Sequence, residues 1–253
     1  MNTHLYNPDY LRETQKLLEN MKQDSYGPLL SRSGKIADIG CGVGADVSNM
    51  AKLGAKDCAF VGVDADQGMI DQANLNKGDC SNVQFLVGNA DTLPFAEAEL
   101  SGLRAERLVQ HLANPPRVFG EFYRVLKDGS PVVIVETDWN SVSFYNGDLQ
   151  TVQRLREYLA AHQVKNGNAA TNLIHDLETA GFTDLRIRLY PLTTHILEQC
   201  MATLRIDYAL TMMEQKGYIT QEGHRTFLDA LQQADSRGCF VCSINLVVVT
   251  AMK

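Results

Sequence analysis

Apolar positions recur along this chain in two alternating rhythms. Short runs at Ile36, Ala37 and Ile39, at Ala59–Val63, at Val83–Val87 and at Pro131–Val135 predict buried strands. Between them the apolar residues return every three or four positions, as they do along one face of a helix: Val47, Met50, Ala51 and Leu53; Met69, Ile70, Ala73 and Leu75; Val118, Phe119, Phe122, Val125 and Leu126. Asn114 ahead of Pro115 supplies a cap and a first-turn proline for the last of these. A weaker run, Leu100–Val109, carries Arg104, Glu106 and Arg107 among its apolar residues and reads as the fourth strand. Strand alternating with helix predicts an α/β fold, a parallel sheet covered by helices on both faces.

The flanks extend this pattern. Ahead of the first strand, Asn7-Pro8 opens an amphipathic helix with Tyr10, Leu11, Thr14, Leu17, Leu18 and Met21 at helical spacing. Beyond Trp139 the spacing predicts helices over Leu149–His162 and Leu173–Ala180, a strand over Phe182–Tyr190, helical patterns over Ile196–Lys216 and Gln221–Ala234, and a last strand over Phe240–Ala251. The two helical patterns before the last strand have too few residues for a core of their own, so they read as an insertion at about 195–235. The 253 residues are therefore expected to form a single domain.

The chemistry concentrates where the first strand ends. Gly40, Gly42 and Gly44 follow it on alternate positions, and glycine is needed where backbone approaches a ligand closely. The second strand ends in Asp64. In a right-handed βαβ unit both strand ends open at the same sheet edge, which brings the glycines beside a carboxylate able to accept hydrogen bonds from ribose hydroxyls. Gly40-x-Gly42-x-x-Ala45 also fits the fingerprint of dinucleotide enzymes, where a helix N-terminus holds a pyrophosphate. Asp38 favours a different ligand, because a carboxylate there repels pyrophosphate and welcomes an α-amino group or a sulfonium. S-adenosylmethionine has that cation and no phosphate.

On these residues the chain resembles the class I S-adenosylmethionine-dependent methyltransferases. ADIGCGVG looks like their glycine motif, with Asp38, Gly40, Cys41, Gly42 and Gly44, and VGVDADQGMIDQA like their acidic second-strand motif. The resemblance implies that Asp64 binds the ribose, that Ala65 and Met69 pack on the adenine, and that Asp91 of GNADTLPF, with Asn89 and Ala90, meets the adenine amino group. Glu106-Arg107-Leu108-Val109-Gln110-His111-Leu112 resembles the E-R-x-L-Q-H-L form of a small-molecule branch that includes ubiquinone/menaquinone-type enzymes. That places Glu106 and Arg107 beside the cofactor and makes His111 the candidate catalytic residue. RVLKDGSPVVIVETDW looks like the family's fifth-strand motif, with Asp128 in place of the usual proline. The family further implies a doubly wound, Rossmann-like, seven-stranded, mostly parallel sheet with an antiparallel last strand. It divides 1–253 into an N-terminal lid helix (1–34), a cofactor-binding half (35–139) and a C-terminal half (140–253). Tyr6 and Tyr10 of the lid, with Trp139, are then candidates for the substrate pocket.

Composition narrows the partners. A net charge of −7 with dispersed Lys and Arg argues against nucleic acid, whose phosphates call for a basic face. No secretory segment and no membrane-length apolar run is apparent, so a cytoplasmic protein is expected. The cysteines lack disulfide-framework spacing, and neither Cys239-x-x-Cys242 nor Asp138 finds the further ligands a metal site requires, so no metal is expected.

The expected function is transfer of the sulfonium methyl group to an oxygen, nitrogen or carbon of a small organic molecule. The alternatives are an NAD-dependent dehydrogenase, and a repurposed methyltransferase fold that binds a metabolite or catalyses a reaction without methyl transfer.

Overall fold

The computed structural model describes residues 8–78 and 80–253, with side chains described from Leu18 onward. In chain order the elements are α1 (Pro8–Leu30), β1 (Lys35–Ile39), α2 (Ala45–Leu53), β2 (Ala59–Asp64), α3 (Gln67–Asn76), β3 (Val83–Val87), β4 (Gly102–Glu106), α4 (Pro115–Val125), β5 (Pro131–Phe144), α5 (Leu149–His162), α6 (Ala169–Thr179), β6 (Thr183–Thr194), α7 (Leu197–Leu204), α8 (Ile206–Gln215), α9 (Gln221–Ser236) and β7 (Cys242–Met252). The strands form one seven-stranded sheet in the order β3-β2-β1-β4-β5-β7-β6, mostly parallel with the last strands antiparallel. This is the α/β architecture that the alternating rhythms predict and the Rossmann-like, seven-stranded sheet that the family resemblance implies.

The chain divides into two compact units. The larger comprises Asn20–Glu136, Asn172–Arg188 and Val247–Lys253, and the smaller Met1–Glu19, Thr137–Thr171 and Leu189–Leu246. In the larger unit β1 is the inner strand, flanked in parallel by β2 and β4, with Asp38 opposite Gly62 on one side and Arg104 on the other. Helices cover both faces of such a sheet, which is why Ile36, Ile39, Phe60, Val63, Leu103 and Val133 are all buried and their strands read as continuous apolar runs rather than alternating ones.

The smaller unit has an apolar core of its own, in which Leu155 and Leu159 of α5 meet Ile206, Leu210, Met213, Phe227 and Leu231 of α8 and α9. The helices expected as an insertion thus share a core with α5 and with Val142 and Phe144 of β5. Phe144 meets Phe227 edge-on at 5.7 Å between ring centres.

Three elements differ from expectation. The helical pattern Ile196–Lys216 is two helices, broken at Arg205, whose φ of +53° is left-handed and whose guanidinium lies 4.7 Å from the centre of the Tyr208 ring. β4 is shorter than Leu100–Val109: the chain leaves the sheet at Arg107, where φ is +50°. β5 runs on to Phe144, so Asp138 and Trp139 lie on the strand rather than after it; beyond Glu136 its burial alternates, and the shift from continuous to period-two burial hides the strand from an apolar-run criterion.

Candidate functional site

The carboxyl ends of β1 to β4 assemble most of the residues singled out in the sequence. After Ile39 the backbone N–H groups of Gly40 and Cys41 both donate to Val63 O, at 2.7 and 3.1 Å, which ties the glycine turn to the end of β2. Gly44 caps α2 at φ +77°, and a Cβ there would sit 2.4 Å from the Phe85 ring, so only glycine permits the packing. Gly42, at φ +52°, differs in kind: a Cβ there would meet nothing within 4 Å. Its backbone faces open space.

Asp64 closes the other side of that space. One carboxylate oxygen accepts the Gly42 N–H at 2.9 Å and the other accepts the Asp66 N–H at 3.0 Å. Asp66 in turn caps α3, accepting from Gly68 and Met69 at 2.7 and 3.2 Å, and so sets where Ala65 and the half-exposed Met69 stand. Beyond β3, whose last residue Val87 pairs with Asp64, the chain turns through Asn89, Ala90 and Asp91, with Thr92 N–H donating to Asn89 O at 3.1 Å. Arg117 of α4 approaches the Asp91 carboxylate at 3.7 Å.

At the end of β4 the exposed Arg107 stands beside Glu106, and a short 3₁₀ turn, Val109–His111, follows. Glu136, which has no exposure, accepts the N–H groups of Val109 and Gln110 at 2.5 and 3.3 Å. The exposed His111 donates its backbone N–H to Leu108 O at 2.9 Å, and its ring Nε2 lies 3.4 Å from the Gln110 amide.

Behind this edge lies a buried charge cluster. Arg104 is completely buried and donates to Asp38 at 3.1 Å, to Asp46 at 3.3 Å, to Ser25 at 3.2 Å and to Glu106. Lys22 bridges Asp46, at 2.7 Å, and Glu106, and the Tyr26 hydroxyl donates to Asp46. Burial raises Asp38 to about 6 in spite of the Arg104 guanidinium beside it. Asp46 is also desolvated, yet Arg104 and Lys22 together hold it below the usual carboxylate range. Burial and the Asp46 carboxylate push the Tyr26 phenol upward, and burial beside Asp38 and Asp64 does the same to the Cys41 thiol.

The cluster revises the sequence reading of Asp38. That carboxylate is already engaged by Arg104, and what adjoins the glycine turn is a group of three carboxylates, Asp38, Asp46 and Glu106, with Lys22 and Arg104 among them and the exposed Arg107 at 3.6 Å from Glu106. Sequence reasoning missed Lys22, Tyr26, Asp46, Arg104 and Glu136. Arg104 carried a visible signal, an arginine inside an apolar run destined for an inner strand, because a charge there must be paired.

Of the remaining candidates, Tyr6 lies outside the described residues, as does the side chain of Tyr10. Trp139 is 8% exposed and packed in the core of the smaller unit. Among the described residues no three His, Cys, Asp or Glu side chains are grouped to hold a metal, and no helix is long and apolar enough to cross a membrane.

Comparison with known proteins agrees with this geometry. Residues 37–134 match a family model described as a methyltransferase domain. An uncharacterised 37.1 kDa protein in transposon TN4556 of Streptomyces fradiae is 28% identical over 224 residues, 87% of this chain and 63% of that one. The 24-methylenesterol C-methyltransferase 2 of Oryza sativa subsp. japonica is 27% identical over 149 residues, 58% of this chain and 39% of that one. The chain thus spans less than two thirds of either relative. Among solved structures, geranyl diphosphate C-methyltransferase from Streptomyces coelicolor A3(2), in complex with Mg2+, geranyl diphosphate and S-adenosyl-L-homocysteine, superposes with a TM-score of 0.61 at 15% identity, over 99% of this chain and 85% of that one. That likeness establishes the fold.

Proposed function

We propose that this chain, which carries a methyltransferase domain of the class I S-adenosylmethionine-dependent kind, moves the methyl group of S-adenosylmethionine to an oxygen, nitrogen or carbon of a small organic acceptor. The observation that carries the reading is Asp64 facing the open backbone of Gly42. A carboxylate has about four acceptor sites, and two are taken by the Gly42 and Asp66 N–H groups, so capacity for a ribose diol remains. The charge balance supports the choice of cofactor. With Asp64, the carboxylates about the turn number four against three cations, Lys22, Arg104 and Arg107, which suits a ligand with a cationic end and opposes a pyrophosphate.

On this reading Gly40, Cys41, Gly42 and Gly44 line the middle of the cofactor. Ala65 and Met69 pack on its adenine, Asn89, Ala90 and Asp91 meet the adenine amino edge, and Asp38, Glu106 and Arg107 stand toward its amino-acid end. The whole of 1–253 acts as one methyltransferase domain, with 35–139 as its cofactor half. S-adenosylmethionine supplies a methyl group already activated by its sulfonium, which leaves the protein mainly the tasks of alignment and water exclusion, worth roughly 7–11 kcal/mol for well-oriented partners. His111 takes the proton of an acceptor whose nucleophile carries one. A small acceptor rather than a nucleic acid agrees with the net charge of −7 and with relatives named for a sterol and for geranyl diphosphate.

Calorimetric titration tests the cofactor. S-adenosylhomocysteine is expected to bind in the micromolar range or better and NAD far more weakly; tighter binding of NAD would overturn the proposal.

A further inference from the structure

Away from the site described above, the larger unit holds a cavity of about 290 Å³ between α1, β6 and β7. Asp24 and Pro28 line it from the face of α1 opposite Lys22 and Tyr26, which serve the charge cluster. From the sheet come Arg186 and Arg188 of β6 and Val248 and Thr250 of β7, each pair two residues apart and therefore on one side of its strand. Arg188 lies 2.9 Å from the Asp24 carboxylate, whereas Arg186 forms no ion pair among the described residues. We propose that this cavity binds a small organic monocarboxylate of about benzoate size, its carboxylate on the Arg186 guanidinium with Arg188 beside it and its apolar body against Pro28 and Val248.

The charge of the cavity selects the ligand. Its charged side chains are Asp24, Arg186 and Arg188, two cations against one anion, in a chain whose net charge is −7. One further negative charge balances them. A phosphate dianion would instead put three negative charges against two positive ones, with Asp24 as a repelling neighbour. A planar guanidinium also matches a carboxylate with two parallel hydrogen bonds, which a single ammonium cannot do. Size agrees with charge, since about 150 Å³ of apolar space is enough to hold benzene. The Thr250 hydroxyl adds a donor at the sheet side.

Asp24 gives the site a built-in competitor. Its carboxylate occupies part of the Arg188 fork, so an incoming carboxylate has Arg186 to itself and shares Arg188 with Asp24. Removal of the Asp24 charge should therefore strengthen binding, the opposite of what loss of a ligand-contacting group does.

Isothermal titration of the full chain with sodium benzoate in low-salt buffer tests the site. One molecule per chain is expected to bind, while benzamide, a neutral molecule of the same shape, should not bind and inorganic phosphate should bind more weakly than benzoate. Arg186→Gln should weaken benzoate binding about tenfold or more, because it removes hydrogen bonds to a charged group. Asp24→Asn should tighten it about two- to fivefold, the worth of an exposed ion pair. Both residues are exposed, so each variant should melt with the parent, which separates lost binding from lost fold. No binding of benzoate, equal binding of benzamide or phosphate, full-strength binding by Arg186→Gln, or an Asp24→Asn variant that binds no tighter than the parent would each overturn the proposal. No residue of this cavity belongs to the site described above and no readout involves methyl transfer, so the outcome is independent of the function proposed there.

Discussion

Glu136 Oε1 accepts the backbone N–H of Val109 at 2.5 Å, so a carboxylate with no exposure on β5 anchors the short turn that carries His111. The same oxygen takes the Gln110 N–H. Truncation to alanine leaves two buried donors without this acceptor. Hydrogen bonds to a charged group are worth about 1.5–3 kcal/mol each, so Glu136→Ala should lower stability by at least that much. Glu136→Gln keeps a carbonyl in place and should recover part of the loss. Urea unfolding of the three proteins gives the comparison, and equal midpoints would show that the turn does not lean on Glu136.

Asp64 is expected to act on affinity more than on the fold. It is only partly buried and sits at a strand end, so Asp64→Ala should melt close to the parent. Loss of charge-assisted hydrogen bonds of about 1.5–3 kcal/mol corresponds to a ten- to hundredfold loss of affinity for S-adenosylhomocysteine. A variant that melts normally and binds as tightly as the parent would remove Asp64 from the ribose.

How much of this was legible beforehand depends on whether the determinant is local. The glycine turn, Asp64 and the helix cap at Asn114 were readable because each is specified by residues a few positions apart. That β1 to β5 belong to one parallel sheet followed from strand–helix alternation, whereas their order in it came only with the structure. The charge cluster was not readable, because Arg104 is joined to Asp38 across 66 positions and Lys22 to Glu106 across 84, and no local pattern encodes such pairings. The break at Arg205 was hidden for a related reason. A left-handed arginine leaves the three-to-four spacing intact on either side, so the periodicity continues through a helix that does not.

Arg104 is the residue on which the larger unit's buried charges depend. Three carboxylates surround it, and removal of one partner from a buried ionic cluster costs about 3–5 kcal/mol because the others are left uncompensated. Arg104→Leu should therefore be severely destabilised. Arg104→Lys should fall well short of rescue, since a single ammonium cannot reproduce a planar fork that reaches Asp38, Asp46 and Glu106 together. Denaturant unfolding provides the measurement, and a lysine variant as stable as the parent would contradict the role given to the fork.

Asp38 predicts a particular sign of pH dependence. Its folded value lies near 6, above the ordinary 3.8, chiefly because of burial. Between those two values the folded protein holds a proton that the unfolded chain has released, so this carboxyl's contribution to stability is fully present below about 4 and is lost as pH rises through about 6. Asp46, held low by Arg104 and Lys22, works in the opposite direction, losing its contribution as pH falls. The stability difference between the parent and Asp38→Asn isolates the first effect. That difference should decline as pH rises across the interval and level off above it; a difference that grows with pH would reverse the assignment.

His111 separates binding from chemistry. It is exposed at the end of its turn, with the Gln110 amide 3.4 Å from Nε2. An imidazole titrates close to neutral pH, which makes its neutral form an effective proton acceptor there. If His111 is the base, His111→Ala should keep the parent's affinity for S-adenosylhomocysteine while turnover falls by roughly 10²–10⁴, the usual contribution of a positioned general base. The deficit should be greatest near neutral pH and shrink in alkaline solution, where the acceptor ionises without help. A histidine that serves only the turn gives a different signature, a lower melting temperature with turnover near that of the parent. Parent and mutant pH–rate profiles of the same shape and height would take His111 out of the mechanism and leave alignment and water exclusion as the source of the rate.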